Sequence, residues 1–233
     1  MRKYIALGLL LSSSISLLSA IAGEVQHQGS LKKMHHGEFQ GVVDLSLLAE
    51  KPFLTAVGPL ENLSGEFTAF KGRLFSTQAA HGQLKTLQNS APFKASFLVW
   101  THSENWTILA PIQFDSDDLS TLESRIESAA KNVGIDLNQP FAFALHGKVG
   151  ELEYHVLAPT TQTDTRKNHK AGAFSNTIRD TEVTLVGFYS NKHAGVFTHK
   201  GARVHVHVVD GVHTGHVDSM KLNGQMKIEF AIP

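Results

Sequence analysis

The chain has 233 residues, of which 42% are hydrophobic and 18% charged, and its 21 basic side chains balance 21 acidic ones. This composition is typical of a globular protein and excludes a disordered chain or a coiled coil. A net charge of zero gives no electrostatic basis for binding nucleic acid or an anionic membrane, because both require a basic surplus. We therefore expect a small molecule as the partner.

The first 22 residues have the pattern of a secretory signal peptide. Arg2 and Lys3 precede an apolar stretch over residues 5–21, and small residues ending at Ala22 suit cleavage before Gly23. A transmembrane anchor is the alternative, but five serines dilute the stretch. No later segment approaches the roughly 20 apolar residues of a membrane span. We expect a periplasmic or secreted protein with no membrane contact after cleavage.

Residues 23–37 are polar and without periodicity, so they predict a flexible lead-in. Beyond them, most segments have the β-branched and aromatic content of strands. The predicted strands cover residues 95–100, 106–112, 141–145, 151–157, 182–188, 203–209 and 226–232.

One segment follows the helical period. Apolar residues recur at spacings of three and four over 119–133, with Asp117 and Asp118 in the first turn and Gly134 after the last. We expect one helix over about 117–133 that covers a sheet.

The stretch 160–181, rich in Thr, Lys and Asn, predicts a long exposed loop between two lobes. The fold class is therefore α+β and β-rich. We expect two lobes of mixed or antiparallel sheet, or a barrel, within one domain over residues 38–233.

Two histidines share one face of a predicted strand. Successive strand side chains point to opposite faces, so valines line one face of 203–209 while His205 and His207 line the other. Asp210-Gly211 predicts a two-residue hairpin turn, which pairs His205 with His216. His216 then joins the first two histidines on their face.

Histidine is abundant, at 14 residues, and the absence of cysteine leaves histidine and carboxylates as the metal ligands. Three imidazoles on adjacent strands leave coordination positions open, as catalytic zinc sites do. Manganese, iron, nickel and copper also accept such ligands. The alternative is an exposed strand in which histidine is simply the polar residue. His193 and His199 lie in predicted loops, where we expect surface roles, and His213 falls on the valine face or at the hairpin end.

Several segments resemble the acetolactate decarboxylase family. The His-Val-His of residues 205–207, followed by Gly-His after a Leu-Val-Gly-Phe strand, is a fairly specific pattern. The matching segments run in family order across nearly the whole mature chain: 36–39, 62–67, 71–72, 141–147, 184–188, 205–207 and 215–217.

The resemblance implies a divalent metal, usually zinc, held by His205, His207 and His216, with Glu66 as the acidic catalytic residue facing it. It also implies conversion of 2-acetolactate (2-hydroxy-2-methyl-3-oxobutanoate) to acetoin and carbon dioxide by a chain that commonly dimerises. A metal alone is sufficient for this decarboxylation, because a Lewis acid can serve as the electron sink for a 3-oxo acid, and no organic cofactor is needed. Glu66 would hold a water, donate the proton or ligate the metal.

Two features depart from the family pattern. The family arginine three residues before Gly147 is Ala144 here, and the sequence ends at Pro233 without the family's C-terminal glutamate. The candidates to supply the missing positive charge are Arg166, Arg179, Arg203 and Lys148. Three alternatives therefore stay open: a metal-binding family member without decarboxylase activity, an enzyme for a different 2-hydroxy-3-oxo acid, and another metal-dependent reaction on this scaffold.

Overall fold

The computed structural model describes residues 23–87, 94–116, 118–159, 170 and 172–232. The predicted signal peptide over residues 1–22 lies outside them. The described residues contain three α-helices, α1 (Leu31–His35), α2 (Leu45–Ala49) and α3 (Leu119–Asn132), and a short 3-10 helix over Glu61–Leu63. The strands are β1 (Gln26–Gln28), β2 (Val43–Asp44), β3 (Leu54–Pro59), β4 (Glu66–Phe70), β5 (Arg73–Ala80), β6 (Gln83–Thr86), β7 (Lys94–Ala95), β8 (Leu98–His102), β9 (Trp106–Ile108), β10 (Ile112–Ser116), β11 (Phe141–Val156), β12 (Phe174–Tyr189), β13 (Val204–Val209) and β14 (Thr214–Ala231). Across these ranges, no helix combines the length and apolar character needed to cross a membrane.

Two antiparallel sheets form most of the structure. The first has the strand order β1-β8-β3-β4-β5-β6, and the second has the order β10-β14-β11-β12-β13 with β9 added to β14. Because β13 also pairs with β14, the second sheet closes on itself. The strands β2 and β7 form a separate two-stranded ribbon. The predicted β-rich α+β class is confirmed.

The predicted helix is confirmed as α3, which covers the apolar interior of the second sheet. The Asp118 carboxylate accepts a hydrogen bond from the Thr121 N–H at 2.7 Å, so Asp118 is the N-cap rather than a first-turn residue. Gly134 follows the helix in the left-handed region at φ +80°. Leu122 and Ile126 are fully buried against the sheet core, and burial of each side chain is worth about 1.5–3 kcal/mol.

The two sheets pack face to face through a second apolar core. Val57 and Val99 of the first sheet meet Ala142, Val186 and Phe188 of the second, and all five are at most 1% exposed. The side chains that neighbour this core on the same faces form the candidate site.

The flexible lead-in predicted over residues 23–37 is wrong. Gln26 to Gln28 add a strand to β8, and Leu31 and Met34 of α1 are buried in the core between the sheets. Strand addition uses backbone hydrogen bonds and needs no side-chain period, while two apolar residues three apart suffice to bury one face of a short helix. Neither feature produces a recognisable sequence pattern.

The predicted loop over 160–181 is wrong in its second half, because residues 174–181 begin β12 and pair with β11. Half-buried and exposed residues alternate there, so the segment lacks the apolar content that marks a strand. Residues 160–169 and 171 lie outside the described residues. The strands predicted over 141–145 and 151–157 are parts of the single strand β11, and 106–112 divides between β9 and β10.

Candidate metal centre

The hairpin of β13 and β14 carries the three predicted histidines in a register different from the expected one. His207, not His205, pairs with His216. The turn holds four residues, closed by the Asp210 N–H on the His213 carbonyl at 3.1 Å, so the predicted two-residue turn is wrong. A register shift of two positions leaves each side chain on its original face. His216 therefore still joins His205 and His207, and His213 lies at the hairpin end.

The three imidazoles converge on one point between the sheets. One ring nitrogen from each of His205, His207 and His216 lies within 4.8 Å of the others. The closest pair is His216 Nδ1 and His205 Nε2, 3.1 Å apart. His205 and His207 are buried and His216 is half-buried.

Outer contacts orient two of these rings. His205 Nδ1–H donates to the Phe197 carbonyl at 2.8 Å, which directs Nε2 into the cluster. His207 Nδ1 lies 3.0 Å from Thr68 Oγ1 of the first sheet, and Thr68 Oγ1 lies 2.6 Å from Thr214 Oγ1. Partners of this kind fix the tautomer and the orientation of metal-binding imidazoles.

His199 orients the third ring, so the surface role expected for it is wrong. Its Nε2 lies 3.2 Å from His216 Nε2, which leaves His216 Nδ1 facing His205. Burial lowers the pKa of His199 to about 4, so the ring is neutral at pH 7. His193 lies farther out, half-buried and stacked on Phe197 with ring centroids 4.7 Å apart.

Glu66 enters the site from the first sheet. Its side chain is 2% exposed, and burial raises its pKa to about 8, so the carboxyl is protonated at pH 7. A hydrogen bond with the Leu157 backbone opposes this shift without overcoming it. Glu66 Oε2 lies 3.7 Å from His207 Nε2, beyond hydrogen-bond distance. The two groups face each other across a gap.

The turn before Glu66 depends on a glycine. Asn62 and Leu63 adopt left-handed backbone angles, and Gly65 has φ +149°. A Cβ on Gly65 would lie 2.2 Å from the Thr77 carbonyl of β5. Any side chain at position 65 would therefore push β4 away from β5 and displace Glu66 from the site.

A divalent metal fits this arrangement. His207 Nε2 is buried without a hydrogen-bond partner among the described residues, a state that costs free energy unless another ligand satisfies it. Burial lowers the pKa of His205 to about 3 and the pKa values of His207 and His216 well below the ordinary value. All three rings are thus neutral at pH 7 and present the lone pairs that bind metal. Zinc and other borderline divalent ions accept this donor set.

A second group of polar side chains, missed by the sequence analysis, lies beside the imidazoles, where the ring centroids of His155 and His216 are 5.0 Å apart. Asp218 binds His155 Nδ1 with one carboxylate oxygen and Lys170 Nζ with the other, both at 2.7 Å. Burial acts to raise the Asp218 pKa, but the hydrogen bonds and charges of His155 and Lys170 outweigh it and hold that pKa below its usual value. His155 is placed here by its pairing with His216 across β11 and β14, which no sequence spacing shows.

Three of the four arginine and lysine candidates lie in the described residues, and none of these three reaches the site. Arg179 and Lys148 form ion pairs on the solvent side of β11 and β12, Arg203 binds two glutamates of α3, and Arg166 lies outside the described residues. Ala144 lies on the same sheet face as His207, two strands away through Val186.

The family model for alpha-acetolactate decarboxylase matches residues 26–232 of the chain. The chain belongs to the alpha-acetolactate decarboxylase family. Among curated proteins no sequence matches it.

Three solved structures share the fold of this family member. An alpha-acetolactate decarboxylase from Bacillus subtilis strain 168 is 16% identical with a TM-score of 0.68, covering 89% of this chain and 85% of its own. The acetolactate decarboxylase of Bacillus subtilis subspecies spizizenii has the same identity and TM-score, with coverages of 90% and 87%. A Staphylococcus aureus protein of unknown function, similar to alpha-acetolactate decarboxylase, is 18% identical with a TM-score of 0.67 and coverages of 88% and 84%. At these identities the likeness shows the fold alone.

Proposed function

We propose that the protein is a metal-dependent decarboxylase that converts 2-acetolactate to acetoin and carbon dioxide. The observation that carries the proposal is the convergence of three buried or half-buried neutral imidazoles beside the protonated carboxyl of Glu66, in a chain of this family. The divalent metal, which we propose to be zinc, would be held by His205, His207 and His216. When bound, the metal supplies a Lewis acid that polarises the substrate carbonyl and stabilises developing negative charge on oxygen.

Glu66 is the proposed proton donor. Its carboxyl carries a proton at neutral pH because burial raises its pKa to about 8, and the carboxyl faces the imidazole cluster at 3.7 Å. When the bond to the carboxylate carbon breaks, the electron pair stays with the substrate and carbon dioxide leaves. The Glu66 O–H then donates its proton to the carbon that lost carbon dioxide, and solvent reprotonates Glu66.

Apolar side chains shield this chemistry from water. Leu31 and Met34 of α1, with Pro59 and Leu157, line the cavity of about 30 Å³ in front of the imidazoles. A dry, low-dielectric surrounding strengthens the electrostatic interactions that act on the substrate. The segment predicted to be a flexible lead-in thus serves as a wall of the proposed site.

Ala144 favours the alternatives, because the resemblance places a charged arginine at this position. A family member without that arginine either binds metal without decarboxylating acetolactate or accepts a different 2-hydroxy-3-oxo acid. Measuring turnover on more than one acid separates these possibilities.

The test uses the chain from Gly23 onward, purified without a polyhistidine tag. Racemic acetolactate and its 2-ethyl homologue are supplied separately, and the hydroxyketone products are measured before chelation, after chelation and after zinc is restored. Acetoin formation that chelation abolishes and zinc restores is the expected result. Bound metal without turnover on either acid would contradict the proposal and favour the binding protein, while turnover of the homologue alone would change the substrate.

A further inference from the structure

A second cavity adjoins the proposed metal centre. It encloses about 250 Å³, and Lys170, His199 and His216 line both this cavity and the smaller one in front of the imidazoles. The smaller cavity, about 30 Å³, has room for an ion and one or two waters but not for a five-carbon acid. The body of such a substrate must therefore extend into the larger cavity, and Lys170 stands where the two cavities meet.

The larger cavity suits short alkyl groups. Val204, Val206 and Val217 form part of its wall. The one carboxylate in its wall away from the junction, Glu123, is already occupied: it accepts the Arg203 backbone N–H at 2.8 Å and lies 3.4 Å from Arg203 Nε. Arg203 offsets part of this negative charge and also pairs with Glu127.

Lys170 is the single lysine or arginine among the described residues that line either cavity. Its Nζ is 2.7 Å from Asp218 Oδ1, while the other oxygen of Asp218 is held by His155. An ammonium group has three donors, and Asp218 is the one hydrogen-bond partner that Lys170 Nζ has among the described residues. The side chain is 42% exposed, which leaves the ammonium accessible from the cavity.

We propose that the Lys170 ammonium binds the carboxylate of a small 2-hydroxy acid, with the alkyl substituents of the acid against Val206 and Val217. Asp218 is a positioning residue that keeps the ammonium at the junction of the cavities. The choice of substrate rests on the proposed function, whereas recognition of the acid anion is a claim about this subsite alone.

In the proposed complex, the Lys170 ammonium contacts both Asp218 and the carboxylate of the substrate. A strong ion pair with the substrate carboxylate stabilises the ground state and opposes loss of carbon dioxide, since that charge disappears in the reaction. An ammonium already half-neutralised by Asp218 orients the carboxylate without holding it tightly. Loss of Lys170 should therefore raise KM without lowering kcat.

The probe is 2-hydroxy-2-methylpropanoate, which lacks the 3-oxo group and cannot decarboxylate by this route, with its uncharged amide as the control ligand. Calorimetry measures both ligands on the zinc-loaded and the metal-free protein. Lys170→Met should weaken binding of the acid about tenfold, as expected for a charge-assisted hydrogen bond, and leave the amide unchanged. Lys170→Arg should retain the acid. Asp218→Asn should raise KM for the acid substrate while metal content stays at the wild-type level.

The matched control is Lys221→Met, which removes an exposed lysine that lies 3.8 Å from Glu151 and does not line either cavity. It should bind both ligands as the wild type does. Equal affinity of Lys170→Met and wild type for the acid would overturn the subsite, as would a wild type that binds no acid or an equal loss of acid and amide binding.

The subsite and the proposed function fail in different ways. A wild type without turnover, whose acid binding still depends on Lys170, would refute the decarboxylase and support the subsite. A wild type with turnover, whose KM and acid affinity are unchanged in Lys170→Met, would refute the subsite and leave the decarboxylase standing.

Discussion

Thr68→Val tests whether the first sheet orients the proposed metal ligands on the second. Thr68 Oγ1 lies 3.0 Å from His207 Nδ1 and 2.6 Å from Thr214 Oγ1, and all three side chains are buried. Valine keeps the shape of threonine but removes both hydrogen bonds. His207 then loses the Thr68 hydroxyl as a partner of Nδ1 and keeps its hydrogen bond with the Phe67 backbone, so its ring is held less firmly with Nε2 toward the other imidazoles.

The contacts of Thr68 set the expected losses of folding stability and of metal affinity. Two lost hydrogen bonds with buried partners should lower the free energy of unfolding by about 2 kcal/mol. Loss of an outer partner of a ligating histidine costs roughly 10- to 100-fold in metal affinity, or about 1.4–2.8 kcal/mol. Thr101→Val is the matched control, because Thr101 is 1% exposed and its hydroxyl has no hydrogen-bond partner within the part of the chain that the structure describes. That variant should be neutral in both measurements.

Zinc affinity is measured by competition with a chromophoric chelator on the metal-free proteins, and stability by urea unfolding. Zinc binding by Thr68→Val as tight as that of the wild type would exclude a role of Thr68 in orienting His207. Equal weakening of zinc binding in Thr101→Val would also exclude it, since a general packing defect would then explain the loss.

Three further predictions concern other residues of the fold. His216→Ala should abolish stoichiometric metal binding while His213→Ala should not, and metal analysis showing the reverse would disprove the assigned ligand set. Glu66→Gln should keep the fold and bound metal but lower kcat by at least about 100-fold, as loss of a general acid does; an unchanged rate would exclude Glu66 from the mechanism. Glu229 is 3% exposed and binds Lys71 Nζ and His146 Nε2, both at 2.5 Å. Burial acts to raise its pKa, but these hydrogen bonds and charges outweigh it and hold the pKa below 4.5. The stabilisation by ionised Glu229 is therefore fully present above pH 4.5 and lost as the pH falls through the lowered pKa. Glu229→Gln should lower the free energy of unfolding in urea by about 2 kcal/mol at pH 7, as loss of hydrogen bonds to a charged group does. This difference should shrink below pH 4.5, and a difference independent of pH would contradict the lowered pKa.

The shared face of His205, His207 and His216 could be predicted because the two-residue period of a strand decides it locally. The predicted register of the β13–β14 hairpin was wrong because the Asp210 carboxylate accepts hydrogen bonds from both the Val212 and the His213 N–H groups and stabilises a four-residue turn. The observed register differs from the predicted one by two positions, so each histidine stays on the predicted face of the sheet. Helix α3 was likewise predictable from its own period and caps.

The remaining parts of the site come from contacts that are distant in sequence. His155 reaches the cluster through the pairing of β11 with β14, and Lys170 through its ion pair with Asp218, 48 residues away. His199 follows a turn with no regular pattern. Leu31 and Met34 bury against a surface formed by two sheets. None of these placements has a local signal, because each depends on the assembled sheets.

The most direct test of the proposed metal-dependent decarboxylase is a zinc titration of the metal-free chain with acetoin release followed at each addition. The acetoin rate from acetolactate should rise linearly with zinc and reach a plateau at one zinc per chain, and His207→Ala should give no rise. Acetoin formation by the metal-free protein, or no acetoin at one bound zinc per chain, would contradict it.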